Sequence, residues 1–295
     1  MIAAVVVTFS APAEVLDRCL RSLCDGALDR LVVVDTGGGA VVAADLADRI
    51  DLIHMDNLGY GAAANRGFAS LAGATAIALL NDDVVVHEGW LPPLVAALDP
   101  VDVGAVQPAL VGPDPDVVVS LGVELDRYGA GSDVGDGGPL PADRTVRDVD
   151  VFTGGAVLFD AAFLDATGGF DERYFLYYED VDLALRGGSL GWRYRVAPES
   201  TVEHRRGTST AARRDETLFL QERNRLWVAF RFGSVATMTR ATWLSVRRLR
   251  HEPTSVHRRS LVAGLAAAPR RVYERVRDTR QSSGSDRPAT GRNAS

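Results

Sequence analysis

The sequence predicts an α/β protein: a mostly parallel central sheet flanked by helices, followed by a helical, arginine-rich C-terminal extension. Three observations carry that reading. Short apolar runs alternate with segments of helical spacing through the first hundred residues, the pattern of strands joined by crossover helices. The strand-like runs, such as Ile2 to Phe9 and Leu31 to Val34, are apolar at nearly every position, as strands covered on both faces are. Polar residues then close each run: Thr8, Asp35, Asp56-Asn57 and Asn81-Asp82-Asp83. In parallel sheets ligands gather at those carboxyl ends.

The elements follow in order. Ile2 to Phe9 is a β-branched run bounded by Ser10 and Pro12, and residues 13–24 place Val15, Leu16, Cys19, Leu20 and Leu23 at helical spacing. Leu31 to Val34 and Asp51 to Met55 are strands, and residues 61–72 form a helix entered through glycine. Ala76 to Leu80 is a strand and residues 88–98 a helix. Residues 112–148, rich in Gly, Pro and Asp, form an excursion of loops. Regular structure resumes over Val149–Phe159, with a helix at Ala161–Ala166, an acidic-aromatic block at 170–182, and a short helix and a strand within 183–200. A helix covers about Asp215 to Phe232. The polar stretch from Gln281 predicts a disordered tail.

At 295 residues with 46% hydrophobic and 24% charged side chains, the composition excludes a wholly disordered chain, a fibrous repeat and a disulfide miniprotein. Cys19 and Cys24 have neither metal nor disulfide spacing, which together with the missing basic leader points to the cytoplasm. No uninterrupted apolar run reaches the roughly 20 residues of a membrane span. The net charge of −7 divides unevenly: residues 240–295 carry +9 and the body −16, and every basic residue is Arg. A body this acidic excludes a general nucleic-acid binder.

Five constellations can carry chemistry. Asn81-Asp82-Asp83 at a strand end can hold a divalent cation bridging phosphates, or form a turn bonded to its own backbone. Asp35 can accept from a base ring or a ribose, or shape the turn before Gly37-Gly38-Gly39. Those glycines follow the second strand without a G-x-G-x-x-G pattern, which disfavours a dinucleotide-binding oxidoreductase. Asn57-Leu58-Gly59-Tyr60-Gly61 with Asn65 and Arg66 can offer phosphate a helix N-terminus, or pack as an ordinary helix start. Gly168 to Leu183 sets Asp171, Glu172, Glu179, Asp180 and Asp182 among rings, with Asp182 and Arg186 four apart for a helical ion pair. Glu179 and Asp180 open that helix, where crowding raises a carboxyl pKa and the helix dipole lowers it. An ionised member can deprotonate a sugar hydroxyl. His204, and the pair Gly154-Gly155 after a strand, complete the set.

In their order these motifs resemble the family 2 glycosyltransferases, within them the bacterial rhamnosyltransferase-like and galactofuranosyltransferase-like members. The resemblance rests on VVVTFS at 5–10, VVVDTGG at 32–38, DNLGYGAAANRG at 56–67, LLNDDV at 79–84, FTGGAVLF at 152–159, GGFDERYFLYYEDVDLALR at 168–186 and His204. It implies a GT-A fold, Rossmann-like in its sheet, over residues 1–232. Residues 1–110 would be the nucleotide-sugar half and 149–232 the acceptor and catalytic half, before a helical extension at 233–280 and a tail at 281–295. It implies inverting transfer from a nucleotide-sugar, with dTDP-rhamnose as donor ahead of UDP-galactofuranose, to a glycan or polyprenyl-linked acceptor of the cell envelope. Asp180 is then the base beside Glu179, and Asp83 and His204 ligate Mg²⁺ or Mn²⁺. Thr8, Asp35, Gly59, Asn65, Asn81, Asp82 and Gly155 bind donor, and Asp171 and Tyr178 bind acceptor.

Two other classes compete. A non-catalytic nucleotide-sugar-binding subunit would keep the fold without the intact acidic pair. A nucleotidyltransferase needs a glycine-rich basic loop after the first strand, which VTFSAPAE at 7–14 lacks. The basic extension, with Arg247, Arg248, Arg250, Arg258, Arg259, Arg270 and Arg271, either attracts anionic lipid for a peripheral membrane contact or is a solvated helical face.

Overall fold

The first strand sits at the centre because its side chains are apolar on both sides. In the computed structural model, which describes residues 1–24, 28–205 and 214–282, β1 (Ile2–Thr8) turns Ala4 and Val6 to one core, and Ala3, Val5 and Val7 to the other. Alternation with period two therefore builds two hydrophobic layers from one strand. Helix α1 (Ala13–Leu23) covers the first layer with Leu16, Cys19, Leu20 and Leu23. β2 (Arg30–Asp35) and β3 (Ile50–His54) extend the sheet in parallel on one side. Helix α2 (Tyr60–Ser70) covers the second layer with the small residues Ala63 and Ala64, and its Gly67 lies so close to Val5 that a side chain there would overlap the valine methyls. β4 (Ala76–Asn81) pairs with β1 on the other side.

Beyond β4 the sheet becomes mixed. β5 (Val84–Val86) is short, α3 (Leu91–Leu98) returns along the first layer, and β6 (Val103–Val111) is buried along its whole length. The sequence reading assigned no element to 103–111, since its Gly104, Gln107 and Pro108 interrupt the apolar run. The excursion contributes β7 (Val118–Ser120), the hairpin β8 (Val123–Leu125) and β9 (Gly131–Asp133), and β10 (Arg147–Val149). The strand expected over Val149–Phe159 breaks at Gly154-Gly155, and only β11 (Ala156–Asp160) continues, antiparallel between β4 and β6. That insertion has a consequence for function. An antiparallel strand delivers its beginning, Gly155, where the parallel strand β4 delivers its end, and Asn81 N–H donates to the Gly155 carbonyl at 3.0 Å.

Asp160 caps α4 (Ala161–Thr167) by accepting from Ala162 N–H at 2.7 Å, worth about 1 kcal/mol. Helix α5 (Glu179–Ser189) and the long strand β12 (Arg193–His204) follow. β12 runs parallel to β6, and its end at His204 pairs with Val84 just after the acidic triplet. Helix α6 (Arg214–Phe232) is joined through α7 (Val235–His251) to α8 (Ser255–Ser282). The tail expected from 281 lies, beyond Ser282, outside the described residues.

Candidate active site

A cleft of about 590 Å³ opens at the carboxyl ends of β1, β2 and β4. Four chain segments meet there for a topological reason: β4 ends in Asn81, β11 begins after Gly155, β12 ends at His204, and α5 begins at Glu179. Asn81, Asp82, Asp83, Gly155, His204, Gly59, Tyr178, Glu179 and Asp180 all line it.

The Asp83 carboxylate (Oδ1) stands 3.2 Å from His204 Nε2, and Asn81 Nδ2 is 3.5 Å from the same nitrogen. His204 Nε2 thus lies beside the Asp83 carboxylate and the Asn81 amide together. Asn81 Oδ1 and His204 Nδ1 are both buried without a partner. Carboxylate and imidazole can both offer lone pairs to a cation placed between them. Their 3.2 Å separation suits neighbouring ligands of an ion with bonds of about 2.1 Å. Among the described residues no three His, Cys, Asp or Glu side chains form a complete metal site. The half-site therefore fits an ion that takes its remaining ligands from water and a diphosphate, as Mg²⁺ does.

Asp82 is 7% exposed, and burial, with Asp83 adding to it, pushes its pKa up to about 6 against the pull of the Thr8 hydroxyl and the Phe9 N–H. Thr8 therefore lies behind the cleft wall and acts through Asp82. Asp35 also stands outside the wall. It is 1% exposed and accepts from Gly37, Gly38 and Ala40 N–H at 2.8, 3.1 and 2.9 Å, with His54 Nδ1 at 3.1 Å. These bonds hold its pKa low against the opposing effect of burial. Its carboxylate shapes the loop that presents Thr36 to the cleft.

Two predicted binding residues occupy other positions. The Asn65 amide exchanges hydrogen bonds with the Phe170 backbone at 2.9 and 3.0 Å and donates to Glu172 at 3.0 Å. It ties α2 to the acidic-aromatic block rather than lining the cleft. Asp171 turns away from the cleft into an arginine cluster, meeting Arg173 at 2.5 Å and Arg271 at 2.9 Å. Those guanidinium groups drive its pKa well below the usual range, overcoming burial.

The acidic pair itself is asymmetric. Asp180 accepts from Gly154 N–H at 2.9 Å and from Val181 N–H at 2.8 Å. Glu179 is 6% exposed, and its Oε2 is buried with no partner. Burial, then the neighbouring Asp180 charge, lifts Glu179 to about 8. Burial lifts Asp180 too, but its two backbone donors favour the ionised form. Asp180 thus has backbone donors that Glu179 Oε2 lacks, and its side chain is half-buried and faces the cleft.

The segment leading into α5 is strained. Phe175, Tyr177 and Tyr178 have φ of 68°, 67° and 68°, a region costing bulky residues about 1–3 kcal/mol each. Asn224 of α6, fully buried, holds it by donating to the Tyr174, Leu176 and Tyr177 carbonyls at 3.1, 2.9 and 2.7 Å. At about 1 kcal/mol for each of the two N–H groups that share these contacts, they offset part of that strain. Gly59, with φ of 101°, packs under Phe175, where any side chain would strike its backbone. Tyr178 accepts from Gly131 N–H at 3.2 Å, which ties the β8–β9 hairpin to the site.

The sequence reading missed Tyr60, Asp133, Asn224 and the α6 residues Glu216 and Gln221. Tyr60 donates to the Gly154 carbonyl at 2.8 Å and lines the cleft. Its position within the glycine motif was the available signal. Asp133 and Glu216 reach the cleft from the excursion and from α6, segments with no local motif. In all, six carboxylates line the cleft (Asp82, Asp83, Asp133, Glu179, Asp180 and Glu216), and no arginine does among the described residues.

A mostly parallel sheet covered on both faces, with Asp83, His204 and an acidic pair lining one cleft at its strand ends, has the architecture of a GT-A glycosyltransferase. The chain belongs to the family 2 glycosyltransferases: the family model "Glycosyl transferase family 2" matches residues 3–121. Over 262 residues the chain is 32% identical to the N-acetylglucosaminyl-diphospho-decaprenol L-rhamnosyltransferase of Mycobacterium tuberculosis, covering 76% of this chain and 85% of that protein. Among solved structures, GalNAc-T7 with UDP, GalNAc and Mn²⁺ aligns with a TM-score of 0.64 at 13% identity, over 86% of this chain and 51% of that one. The mannosyltransferase PcManGT of Pyrobaculum calidifontis with GDP-Man and Mn²⁺ aligns at 0.54 and 15% identity, over 96% and 85%. At those identities the structures speak for the fold.

Proposed function

We propose that the protein is an inverting, divalent-metal-dependent rhamnosyltransferase, moving L-rhamnose from dTDP-rhamnose to a polyprenyl-diphosphate-linked sugar of the cell envelope. One observation carries the mechanism: the Asp180 carboxylate and the Asp83–His204 half-site open into the same cleft. The mycobacterial relative's name supports the choice of rhamnose and of a lipid-linked acceptor.

Asp180, which accepts from the Gly154 and Val181 N–H groups, takes the proton of the acceptor hydroxyl. The acceptor oxygen then forms its bond to the anomeric carbon as the bond from that carbon to the diphosphate oxygen breaks on the opposite face, so configuration inverts. Glu179, kept protonated by burial, adds no second charge that would compete for the proton. Asp83 and His204, with Asn81, would hold Mg²⁺ or Mn²⁺, and the ion would neutralise charge on the departing diphosphate. Tyr60 braces the Gly154 turn that orients Asp180.

The test is nucleotide-diphosphate release with dTDP-rhamnose, UDP-galactofuranose and GDP-mannose, a short-chain N-acetylglucosaminyl-diphospho-lipid acceptor, and either Mn²⁺ or EDTA. Release from dTDP-rhamnose alone, abolished by EDTA, is expected. Faster release from another donor overturns the rhamnose assignment. Calorimetric donor binding without turnover, when the products of the mycobacterial relative form under the same conditions, overturns catalysis.

A further inference from the structure

Helix α8 has its buried side filled. Arg271 and Glu274 face the α6 side, and Leu261 and Ala268 pack against a cluster of Leu226, Ala229 and Phe230 of α6 with Ala241 of α7. The opposite side carries Val262, Leu265, Tyr273 and Val276 at 62, 41, 67 and 45% exposure. Helical spacing of three, eight and three residues lines these four up as one stripe about four turns long. α7, alongside, exposes Trp243 at 52%, with Arg247 stacked over its ring at 5.4 Å. Arg258 is exposed beside the stripe. Soluble surfaces rarely leave so continuous an apolar stripe in water.

We propose that this α7–α8 face docks on an anionic lipid bilayer, the stripe and Trp243 entering the headgroup region while the flanking arginines meet phosphate. Charge selects this occupant. A second copy would set arginine against arginine, whereas the +9 extension faces anionic lipid as the −16 body is repelled from it. Trp and Tyr with aliphatic neighbours and Arg are the side chains of interfacial helices. Three arginines counted in the sequence as basic surface do not take part: Arg271 is buried against Asp171, Arg248 is paired with Glu222, and Arg270 with Glu274.

The docked orientation suits the site. Arg259, near the start of α8, lies over Phe219 at 5.1 Å, beside Glu216, Thr217 and Leu220 of the cleft wall. The membrane surface would thus lie close to the end of the cleft that α6 lines. This last point rests on the lipid-linked acceptor reading; the docking itself does not.

The experiment is co-sedimentation of the full chain with vesicles of phosphatidylcholine, with and without equal phosphatidylglycerol. Binding at least tenfold stronger to the anionic vesicles is expected, and it should be lost in 0.5 M NaCl. The pair Leu265→Ser with Tyr273→Ser, and separately Arg247→Gln with Arg258→Gln, should each weaken binding tenfold or more. Release of nucleotide diphosphate with a water-soluble acceptor should stay unchanged in both. Equal affinity for both vesicle types, or variants that bind like the parent, overturns the proposal. So does a stripe-dependent dimer in sedimentation velocity without vesicle binding. Failure of docking with intact transfer leaves the catalytic reading standing; docking without transfer does the reverse.

Discussion

Helix α5 separates two groups of buried carboxylates that the chain treats in opposite ways. On one side Asp182, fully buried, meets Arg186 at 2.7 Å, Arg231 at 2.8 Å and the Tyr174 hydroxyl at 3.1 Å. Asp171 and Glu274 extend the same network with Arg173 and Arg271. On the other side Glu179, Asp180, Asp82 and Asp83 gather without an arginine among the described residues of the cleft. Paired carboxylates hold α5, α6 and α8 together. Those of the cleft concentrate negative charge that a substrate's proton or a cation would relieve. The difference between a structural and a functional acid is therefore a matter of neighbours, two residues apart on one helix.

The largest expected effect is on the functional side. Asp180→Asn removes the base and should lower kcat by about 10²–10⁴-fold while the melting temperature holds or rises, because a crowded charge disappears. Steady-state kinetics beside a thermal melt checks both parts, and a large fall in stability would place Asp180 in the structural group instead.

Next comes the structural side. Asp182→Asn leaves Arg186 and Arg231 facing a neutral amide inside the protein, and should cost about 3–5 kcal/mol in urea unfolding. Its kcat per folded molecule should fall far less than in Asp180→Asn. Equal losses in the two variants would erase the distinction.

The smallest effect is in pH dependence, where the two groups should slope in opposite directions. Glu179 has its folded pKa raised to about 8, so the folded protein binds the extra proton and stability declines as pH rises from about 4.5 to 8. Asp171 has its folded pKa depressed, so its contribution is present above about pH 4 and is lost on acidification below that. Melting temperatures from pH 3 to 9 should show Glu179→Gln flattening the alkaline limb alone. An unchanged alkaline limb would mean that Glu179 is ionised in the folded state.

The motifs were legible because local chemistry writes them locally. Strand ends, the Asn81-Asp82-Asp83 triplet and the Glu179-Asp180 pair each lie within a few residues of a periodic run. Asp171 and Asn65 were misplaced because a carboxylate or an amide in a motif looks the same whether it faces a cleft or an arginine. Asp171 meets Arg271, a hundred residues away, and no local pattern encodes that.

From its sequence alone this protein was determined to be α/β, with alternating apolar runs, a crossover order and a set of polar strand ends, since hydrophobic periodicity is a property of neighbours along the chain. Only the tertiary structure decided that β11 runs antiparallel beside β4 and brings Gly155 to Asn81, and that β12 ends with His204 beside Asp83. It alone decided that Asn224 reaches across to hold the strained turn before Asp180. Strand direction and side-chain partnership are settled by packing between segments far apart in sequence, where burial and charge, not spacing, set the energy.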